Sequence, residues 1–343
     1  MADLDAPAMN VRADMIEMIG ACWRTQVCGT AARLRVPEAL ADGPRDAAGI
    51  AGAIGCPEAP TRRLLRGMCS LGLARQLDPD RFALTERGQL LRPDVPGSLH
   101  GLAMAWTSRS WEAWSQLEHG IRTGETTVPA GVEGFASMAH DPQAAATLNQ
   151  SQAARSRAVA QEAARVFDFS GFCEVIDVGG GYGTVLAAVL AAHPHLTGAV
   201  VELAYLERDT LAFLAHEGVG ERARFLGGSF FDAVPEGADC YILKSILHDW
   251  TDAQCATILD NVAAASRPGG TLLVIEQVLP DIATDDPRDW SAFRTDLNML
   301  LSTGGLERTE QEFRTLFAAA GFRLNGVIAN ESEFRLLEAI REA

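Results

Sequence analysis

The stretch Asp177-Val-Gly-Gly-Gly-Tyr-Gly183 decides the fold of this chain. It follows the apolar run 173–178, which has the composition of a buried parallel strand, and it precedes residues 184–192, which favour a helix. A strand, a glycine-rich turn and a helix form a nucleotide-binding unit, because glycines let the backbone approach a ligand where a Cβ would collide. The spacing is G-x-G-x-G behind an acidic residue, whereas dinucleotide enzymes have G-x-G-x-x-G.

An acidic residue follows the next predicted strand. The run Thr-Gly-Ala-Val-Val at 197–201 ends in Glu202, which lies 23 residues after Gly179. This separation is close to the offset of about 20 residues at which an acidic side chain meets a ribose diol. A carboxylate can accept two hydroxyl hydrogen bonds at once, so it suits the ribose of either S-adenosylmethionine (SAM) or NAD. Together the two signals predict a nucleoside site.

Length, charge and cysteine content limit the class of protein. The 343 residues allow two domains and a large core, and a hydrophobic fraction of 48% fits a soluble globular protein. A formal net charge of −16 disfavours a nucleic-acid partner. Neither a secretory signal nor an apolar run of the roughly 18 residues that span a membrane occurs. The seven cysteines are scattered and lack a C-x-x-C pair, which predicts reduced thiols in a cytoplasmic protein without a zinc site.

Residues 1–100 are predicted to form a winged-helix domain. Two helical segments at 46–54 and 59–71 have helix-turn-helix spacing, and two short strands at 72–77 and 81–85 follow as a wing. Winged helices often bind DNA. In an acidic chain with a catalytic domain downstream, we instead expect this domain to pack against a second subunit.

Residues 101–170 are predicted to be a helical linker and substrate cap, rich in aromatic and thioether side chains. Three tryptophans, Trp106, Trp111 and Trp114, cluster within nine residues. Such side chains can pack in a core or a dimer interface, and they can also cover a flat aromatic substrate. The sequence leaves both interpretations open. The residues that we single out as candidates for the substrate cap are Met104, Trp106, Phe135 and Met138.

Residues 171–343 are predicted to form the catalytic domain, a doubly wound α/β sheet. Strands and helices alternate, with strands at 173–178, 197–201, 223–227, 239–245, 271–276, 322–329 and 333–338. The link Ala329–Ser332 between the last two strands is too short for a helical crossover, so these strands must pair antiparallel. A mostly parallel sheet with an antiparallel last strand resembles the SAM-methyltransferase fold rather than the dinucleotide fold.

A histidine lies where ligands of open parallel sheets bind. The run Lys244-Ser-Ile-Leu-His-Asp-Trp250 follows the strand 239–243, and a capping box at Thr251 starts the next helix, so His248 is held in a short loop at the carboxyl edge. Glu276 ends the strand 271–275 at the same edge, and Glu307 precedes a second capping box. Either glutamate can hold the imidazole in one tautomer and favour its protonated form.

The combined motifs resemble one enzyme family. The run LHDWTD, the glutamate at 276 and the run GGLERT at 304–309, in this order and with these gaps, are similar to plant and actinobacterial small-molecule O-methyltransferases. That family includes the caffeic-acid and hydroxyindole O-methyltransferases, and the resemblance covers nearly the whole chain. It implies that His248 is the general base between Glu276 and Glu307, and that the enzyme is a homodimer joined through its N-terminal helices. The residues implied to bind SAM are Asp177, Gly179, Gly181, Glu202, Ser229, Phe230, Lys244 and Ser245.

Two positions depart from the family pattern. The ribose position commonly holds Asp, whereas this chain has Glu202, which keeps the carboxylate on a longer side chain. The family usually reads GDFF where this chain reads Gly228-Ser-Phe-Phe231. The missing carboxylate normally holds the adenine amino group, so Ser229 predicts a weaker contact with adenine.

The predicted reaction is SAM-dependent methylation of a phenolic hydroxyl on an aromatic small molecule, without a metal. A phenol with a pKa near ~10 is mostly protonated at neutral pH, and a histidine with a pKa near ~6.5 can remove that proton as attack occurs. Asp296, Asn298 and Met299, on a helix before Glu307, are predicted to face the acceptor. The alternatives are methylation of carbon or nitrogen, a family member that has lost methyl transfer, a winged-helix regulator and an NAD oxidoreductase. The glycine spacing and the final hairpin oppose the NAD enzyme.

Overall fold

The structure is a computed structural model that describes residues 11–128, 142–287, 289–328 and 332–343. The chain divides into two compact units, Met1–Trp111 and Glu112–Ala343. Phe135 and Met138, which were candidates for the substrate cap, lie outside the described residues. The three-part division inferred from the sequence remains a prediction.

The first unit is mainly helical and contains a small antiparallel sheet with the strand order β1-β3-β2. Its elements are α1 (Val11–Gly20), α2 (Cys22–Arg33), α3 (Val36–Ala39), β1 (Arg45–Asp46), α4 (Ala47–Ala53), α5 (Glu58–Ser70), β2 (Ala74–Gln76), β3 (Arg81–Leu84), α6 (Glu86–Gln89) and α7 (His100–Trp106). Asp46 caps α4 by accepting a 2.6 Å hydrogen bond from the Gly49 N–H. Helix α5 buries Leu65 and Met68 in the core beside Phe82. Helices α4 and α5 and strands β2 and β3 occur where the sequence predicted them, and the winged-helix assignment itself remains a prediction.

Helix α1 carries apolar side chains that no other described segment of the chain covers. None of its residues is buried, and its exposed apolar side chains are Val11, Met15, Ile16, Met18 and Ile19. Contiguous apolar surface of this kind marks an interaction site on a soluble protein.

The second unit is built on a seven-stranded sheet in the order β11-β12-β8-β7-β4-β5-β6. Helix α8 (Arg109–Trp114) contains the boundary between the two units, and α9 (Leu117–Thr123) precedes the sheet. The remaining elements are α10 (Pro142–Val166), β4 (Glu174–Val178), α11 (Thr184–Ala192), β5 (Thr197–Glu202), α12 (Glu207–His216), β6 (Ala223–Gly227), β7 (Cys240–Lys244), α13 (Asp252–Ala265), β8 (Thr271–Glu276), β9 (Val278–Leu279), α14 (Trp290–Ser302), β10 (Arg308–Thr309), α15 (Glu310–Ala319), β11 (Phe322–Ile328) and β12 (Arg335–Arg341).

Only one strand of this sheet is reversed. Strands β4 to β8 pair in parallel, and β12 is antiparallel to both β8 and β11. The predicted mostly parallel sheet with an antiparallel last strand is therefore confirmed. Both faces of the sheet are covered, because alternate residues of the strands enter two different cores. Tyr241 and Leu243 of β7 pack with α13 and α15, and Cys240 and Ile242 pack with α10 and α11.

The parallel pairing brings the carboxyl ends of four strands to one edge. Val178, Glu202, Lys244 and Glu276 are the last residues of β4, β5, β7 and β8. The predicted site residues that follow these strands therefore meet at this edge. Within the described residues, no helix is long and apolar enough to cross a membrane.

Candidate active site

The glycine-rich turn after β4 needs glycine for its backbone geometry and for close packing. Gly179, Gly181 and Gly183 all have positive φ, at 71°, 56° and 81°. A Cβ on Gly179 would lie 2.4 Å from Cδ1 of Ile246, and the Gly179 N–H donates to the Val201 carbonyl at 2.8 Å. The turn is therefore pressed against the end of β5 and the loop after β7, and residues 179–181 also line the cavity beside it.

That cavity has a volume of about 190 Å³. It is lined by all eight residues predicted to bind the cofactor: Asp177, Gly179, Gly181, Glu202, Ser229, Phe230, Lys244 and Ser245. It is also lined by residues that the sequence analysis missed, among them Asn149, Gln152, Ser156, Tyr182, Tyr205 and Asp249. The first three lie on α10, upstream of the glycine-rich turn, and no sequence spacing relates them to it.

Two acidic residues of the cavity wall, Asp177 in β4 and Glu202 at the end of β5, have different surroundings. Glu202 Oε1 accepts a 2.9 Å hydrogen bond from the Leu203 N–H, and burial raises the pKa of Glu202, opposed by the N–H groups of Leu203 and Gly181. Asp177 lies beneath the turn, where a Cβ on Gly180 would be 2.6 Å from its carboxyl group. Burial raises the pKa of Asp177 to about 7. Both carboxyl groups therefore belong to residues of the cavity wall, and their contact with a cofactor remains a prediction.

Ser229 belongs to a segment held by the neighbouring helix. Its Oγ accepts a hydrogen bond from the Phe231 N–H at 3.2 Å, and Asn261 on α13 donates to the carbonyls of Phe230 and Phe231 at 2.9 and 3.0 Å. The Phe231 ring meets Trp250 edge-on, with their centroids 4.7 Å apart. Ser229 therefore has a fixed backbone at the cavity wall and a side chain too short to reach far into the cavity.

Strand β7 ends in a strained turn that leads to His248. Lys244 Nζ donates to Ser156 Oγ at 2.8 Å and lies 5.0 Å from the centre of the Phe334 ring. Ser245 has a left-handed φ of 53°, which is uncommon for a residue with a Cβ. The chain then forms a 3₁₀ turn, Leu247–Asp249, which places His248 in a buried position.

The imidazole of His248 is oriented by Glu307. The distance from His248 Nδ1 to Glu307 Oε1 is 2.8 Å, and the Glu307 carboxylate is fully buried. An ionised carboxylate can only accept, so a neutral imidazole bound to one in this way carries its proton on Nδ1. Nε2 is then left with a lone pair, which is the arrangement of a general base. Nε2 lies 3.8 Å from Asp249 Oδ1, and burial raises the pKa of Asp249 to about 6.

Glu276 holds the backbone of the same loop. Its Oε1 accepts hydrogen bonds from the N–H groups of Ile246 and Leu247, both at 2.9 Å. Its Oε2 is 3.6 Å from His248 Nδ1, and burial raises the pKa of Glu276. The sequence predicted that either glutamate could orient the imidazole. In the structure Glu307 binds the ring and Glu276 binds the loop that carries it.

His248, Glu276 and Glu307 also satisfy the geometry of a metal site. In the described part of the chain they are the one group of acidic, His or Cys residues with three potential ligand atoms within 4.8 Å of one another. His248 Nδ1 and Glu307 Oε1 already form a hydrogen bond with each other. The absence of a metal remains a prediction.

The three acceptor-side candidates on α14 have contacts within the second unit. Asp296 Oδ1 accepts from the Glu307 N–H at 3.0 Å, so Asp296 lies beside the histidine partner. Asn298 Oδ1 accepts from the Trp114 indole N–H at 2.9 Å, and Met299 is buried. Met104 and Trp106 are on α7 of the first unit. That these five residues face the acceptor remains a prediction.

A family model described as an O-methyltransferase domain matches residues 114–323. This chain belongs to the O-methyltransferase family. A second model, the O-methyltransferase dimerisation domain, matches residues 16–94. The O-methyltransferase is 39% identical to the O-demethylpuromycin-O-methyltransferase of Streptomyces alboniger, over 92% of this chain and 85% of that one. It is 35% identical to the phenazine O-methyltransferase PhzM of Lysobacter antibioticus, over 97% of each chain.

Solved structures agree with this membership. The crystal structure of LaPhzM matches this O-methyltransferase with a TM-score of 0.92 and 33% identity, over 97% of this chain and 100% of that one. Human N-acetylserotonin methyltransferase, solved in complex with SAM, matches with a TM-score of 0.89 and 25% identity, over 99% and 100% of the two chains. The enzyme is a SAM-dependent O-methyltransferase, which excludes the NAD oxidoreductase and the DNA-binding regulator.

Proposed function

We propose that this enzyme methylates a phenolic hydroxyl of an aromatic secondary metabolite, with His248 as the general base. The observation that carries the proposal is the 2.8 Å bond from His248 Nδ1 to the buried Glu307 carboxylate, which leaves Nε2 to accept a proton. The names of the relatives support an aromatic acceptor, since one acts on O-demethylpuromycin and another on a phenazine.

The cavity suits SAM. The glycine-rich turn presents backbone at Gly179 where a Cβ would be blocked, and the Glu202 carboxylate can accept from both ribose hydroxyls. Gly179 and Gly181 would pass along the amino-acid portion, and Ser229 and Phe230 would meet the adenine. SAM would supply a methyl group from its sulfonium: as the acceptor oxygen bonds to the methyl carbon, the carbon–sulfur bond breaks and the neutral thioether S-adenosylhomocysteine leaves.

The protein residues remove the acceptor proton and stabilise the charge that results. As the phenolic oxygen attacks the methyl group, its proton passes to His248 Nε2, and the imidazole becomes positively charged. That charge forms next to three acids: Glu307 Oε1 at 2.8 Å, Glu276 Oε2 at 3.6 Å and Asp249 Oδ1 at 3.8 Å. Those of the three that are ionised stabilise the imidazolium more strongly in this buried site than they would in water.

Labelled SAM and a set of matched acceptors test the proposal. We would compare O-demethylpuromycin and N-acetylserotonin with three naphthalene derivatives: 2-naphthol, 2-naphthylamine and the aliphatic alcohol 2-(2-naphthyl)ethanol. Methyl transfer to phenolic oxygens, unaffected by EDTA, is the expected result. Transfer only to the amine or the aliphatic alcohol would overturn the acceptor assignment, and loss of activity in EDTA would overturn the metal-free mechanism.

Ser229→Asp is expected to tighten SAM binding about threefold to tenfold. A carboxylate at this position can accept from the adenine amino group, and a charge-assisted hydrogen bond is stronger than one to a hydroxyl. Calorimetry on the wild-type protein and the variant measures the change. Ser229→Asn, which adds a similar side chain without the charge, is the matched control. An affinity for the Asp variant no better than that for the Asn variant would show that adenine is held by other groups.

We propose that the enzyme is a homodimer joined through its first unit. The exposed apolar face of α1 and the dimerisation-domain match at 16–94 support this. Light scattering at micromolar concentration is expected to give a dimer, and Ile19→Glu is expected to weaken it. Ile282→Glu is the control, because Ile282 is 78% exposed and lies in the second unit. A monomeric wild-type protein would contradict the proposed homodimer.

We also propose that the enzyme is cytoplasmic.

A further inference from the structure

We propose that Arg308 is a positioning residue that holds the two carbonyl groups on either side of His248. The proposal rests on the proposed role of His248 as the base. Glu307 and Arg308 are adjacent in sequence, so one segment would fix both the ring of the base, through Glu307, and its backbone, through Arg308.

Arg308 directly contacts residues 245–251, the loop between β7 and α13 that carries His248 and is called the histidine loop below. Its side chain is fully buried, with only 1% exposure. Nη1 donates to the Leu247 carbonyl at 2.9 Å, and Nη2 donates to the Trp250 carbonyl at 2.9 Å. The planar guanidinium has several donors in a rigid fork, so it can bind both carbonyls at once, whereas a lysine ammonium is a compact point charge.

The charge of Arg308 is balanced from the helix that follows the loop. Asp252 Oδ1 accepts from Nε at 3.0 Å and from Nη2 at 2.8 Å, and Asp252 is the first residue of α13. A buried charge is tolerated when it is paired and hydrogen-bonded. Arg308 therefore ties the histidine loop to the start of α13.

Arg308 and Glu276 bind different backbone groups of the same loop. Glu276 accepts from the N–H groups of Ile246 and Leu247, and Arg308 donates to the carbonyls of Leu247 and Trp250. The Cys255 thiol also approaches the Leu247 carbonyl, at 3.2 Å, but a thiol is a weak donor. The backbone of Arg308 is itself fixed, because β10 pairs with β9, two residues after Glu276. Without Arg308 the loop would lose its charged donor, and Nε2 would lose its fixed position.

Arg341 provides a matched control at the opposite edge of the sheet. Its guanidinium also donates to carbonyls, at 2.9 Å to Gly321 and 3.3 Å to Ala263. Its backbone bonds to Gly270, before the start of β8, whereas Glu276 ends that strand. Arg341→Ala removes a comparable interaction without touching the histidine loop.

The first measurement needs no acceptor. In protein labelled with ¹⁵N-histidine, the proton on His248 Nδ1 should give a downfield NMR signal, assigned by its absence in His248→Ala. We expect this signal to be lost or exchange-broadened in Arg308→Ala, weakened in Arg308→Lys and retained in Arg341→Ala. Retention in both Arg308 variants would overturn the proposal.

The second measurement separates positioning from folding. With the best acceptor of the set above, Arg308→Ala should lower kcat about 10- to 100-fold, because small displacements of a catalytic group carry such losses. SAM affinity should stay within about threefold of the wild-type value, and millimolar guanidinium should restore part of kcat only in Arg308→Ala. If Arg308→Lys and Arg341→Ala lose kcat and thermal stability alike, Arg308 is merely structural. Full activity of His248→Ala would instead refute the proposed base while leaving the NMR test valid.

Discussion

Replacing His248 with asparagine is expected to lower kcat for methyl transfer about 10²- to 10⁴-fold while SAM affinity stays unchanged. The asparagine amide can still donate to Glu307 in place of Nδ1, so the buried carboxylate keeps a partner. It cannot accept a proton at the position of Nε2. Lys244 and Ser245 line the cavity, whereas His248, which follows them in sequence, does not. Cofactor binding should therefore persist in the variant.

Kinetics with labelled SAM measure kcat, and calorimetry on the same preparations measures SAM affinity. His216→Asn is the control, because His216 is exposed on α12, and it should leave both unchanged. A His248→Asn enzyme with full activity at neutral pH would show that the acceptor loses its proton by another route.

Gly305→Ala is expected to reduce kcat by about 10²-fold and to destabilise the fold by about 1–3 kcal/mol. A Cβ at Gly305 would lie 2.0 Å from the His248 carbonyl oxygen and 2.6 Å from the Trp250 nitrogen. These atoms are backbone, so relief requires displacement of the loop itself. The loop is held by Glu276, Glu307 and Arg308, and moving it strains all three contacts.

Thermal denaturation and kcat with the best acceptor measure the outcome. Gly171→Ala is the matched control, because a Cβ there would meet nothing within 4 Å. Equal behaviour of the two variants would mean that the Gly304–Gly305 segment can move without disturbing His248.

Local sequence patterns predicted the sheet and the edge at which the site lies. The strand before Asp177 and the glycines after it are contiguous, so the turn could be inferred from composition. The short link at Ala329 forced the antiparallel pairing of β11 and β12, which the structure has. Such inferences succeed because strand direction and turn geometry depend on neighbouring residues.

The separate contacts of Glu276 and Glu307 around His248 could not be predicted in the same way. Glu276 and Glu307 come from different segments, and only the packed fold decides which one meets the ring and which one meets the backbone. The same holds for Ser156, whose hydroxyl meets Lys244 across 88 positions of sequence. Asn298 was predicted to face the acceptor, and its bond to Trp114 is a long-range contact that helical spacing does not reveal.

The chain has 28 arginines and one lysine, Lys244, at the wall of the SAM cavity. A protease specific for lysine can therefore cut this sequence at a single bond, between Lys244 and the strained Ser245. Because Lys244 pairs with Ile275 of β8 and the Ser245 N–H donates to the Ile275 carbonyl, we expect that bond to become cleavable only when this end of β7 opens. Cleavage in native buffer would thus report the free energy of opening, and a ligand that binds only the closed form would slow it by a factor set by its concentration and Kd.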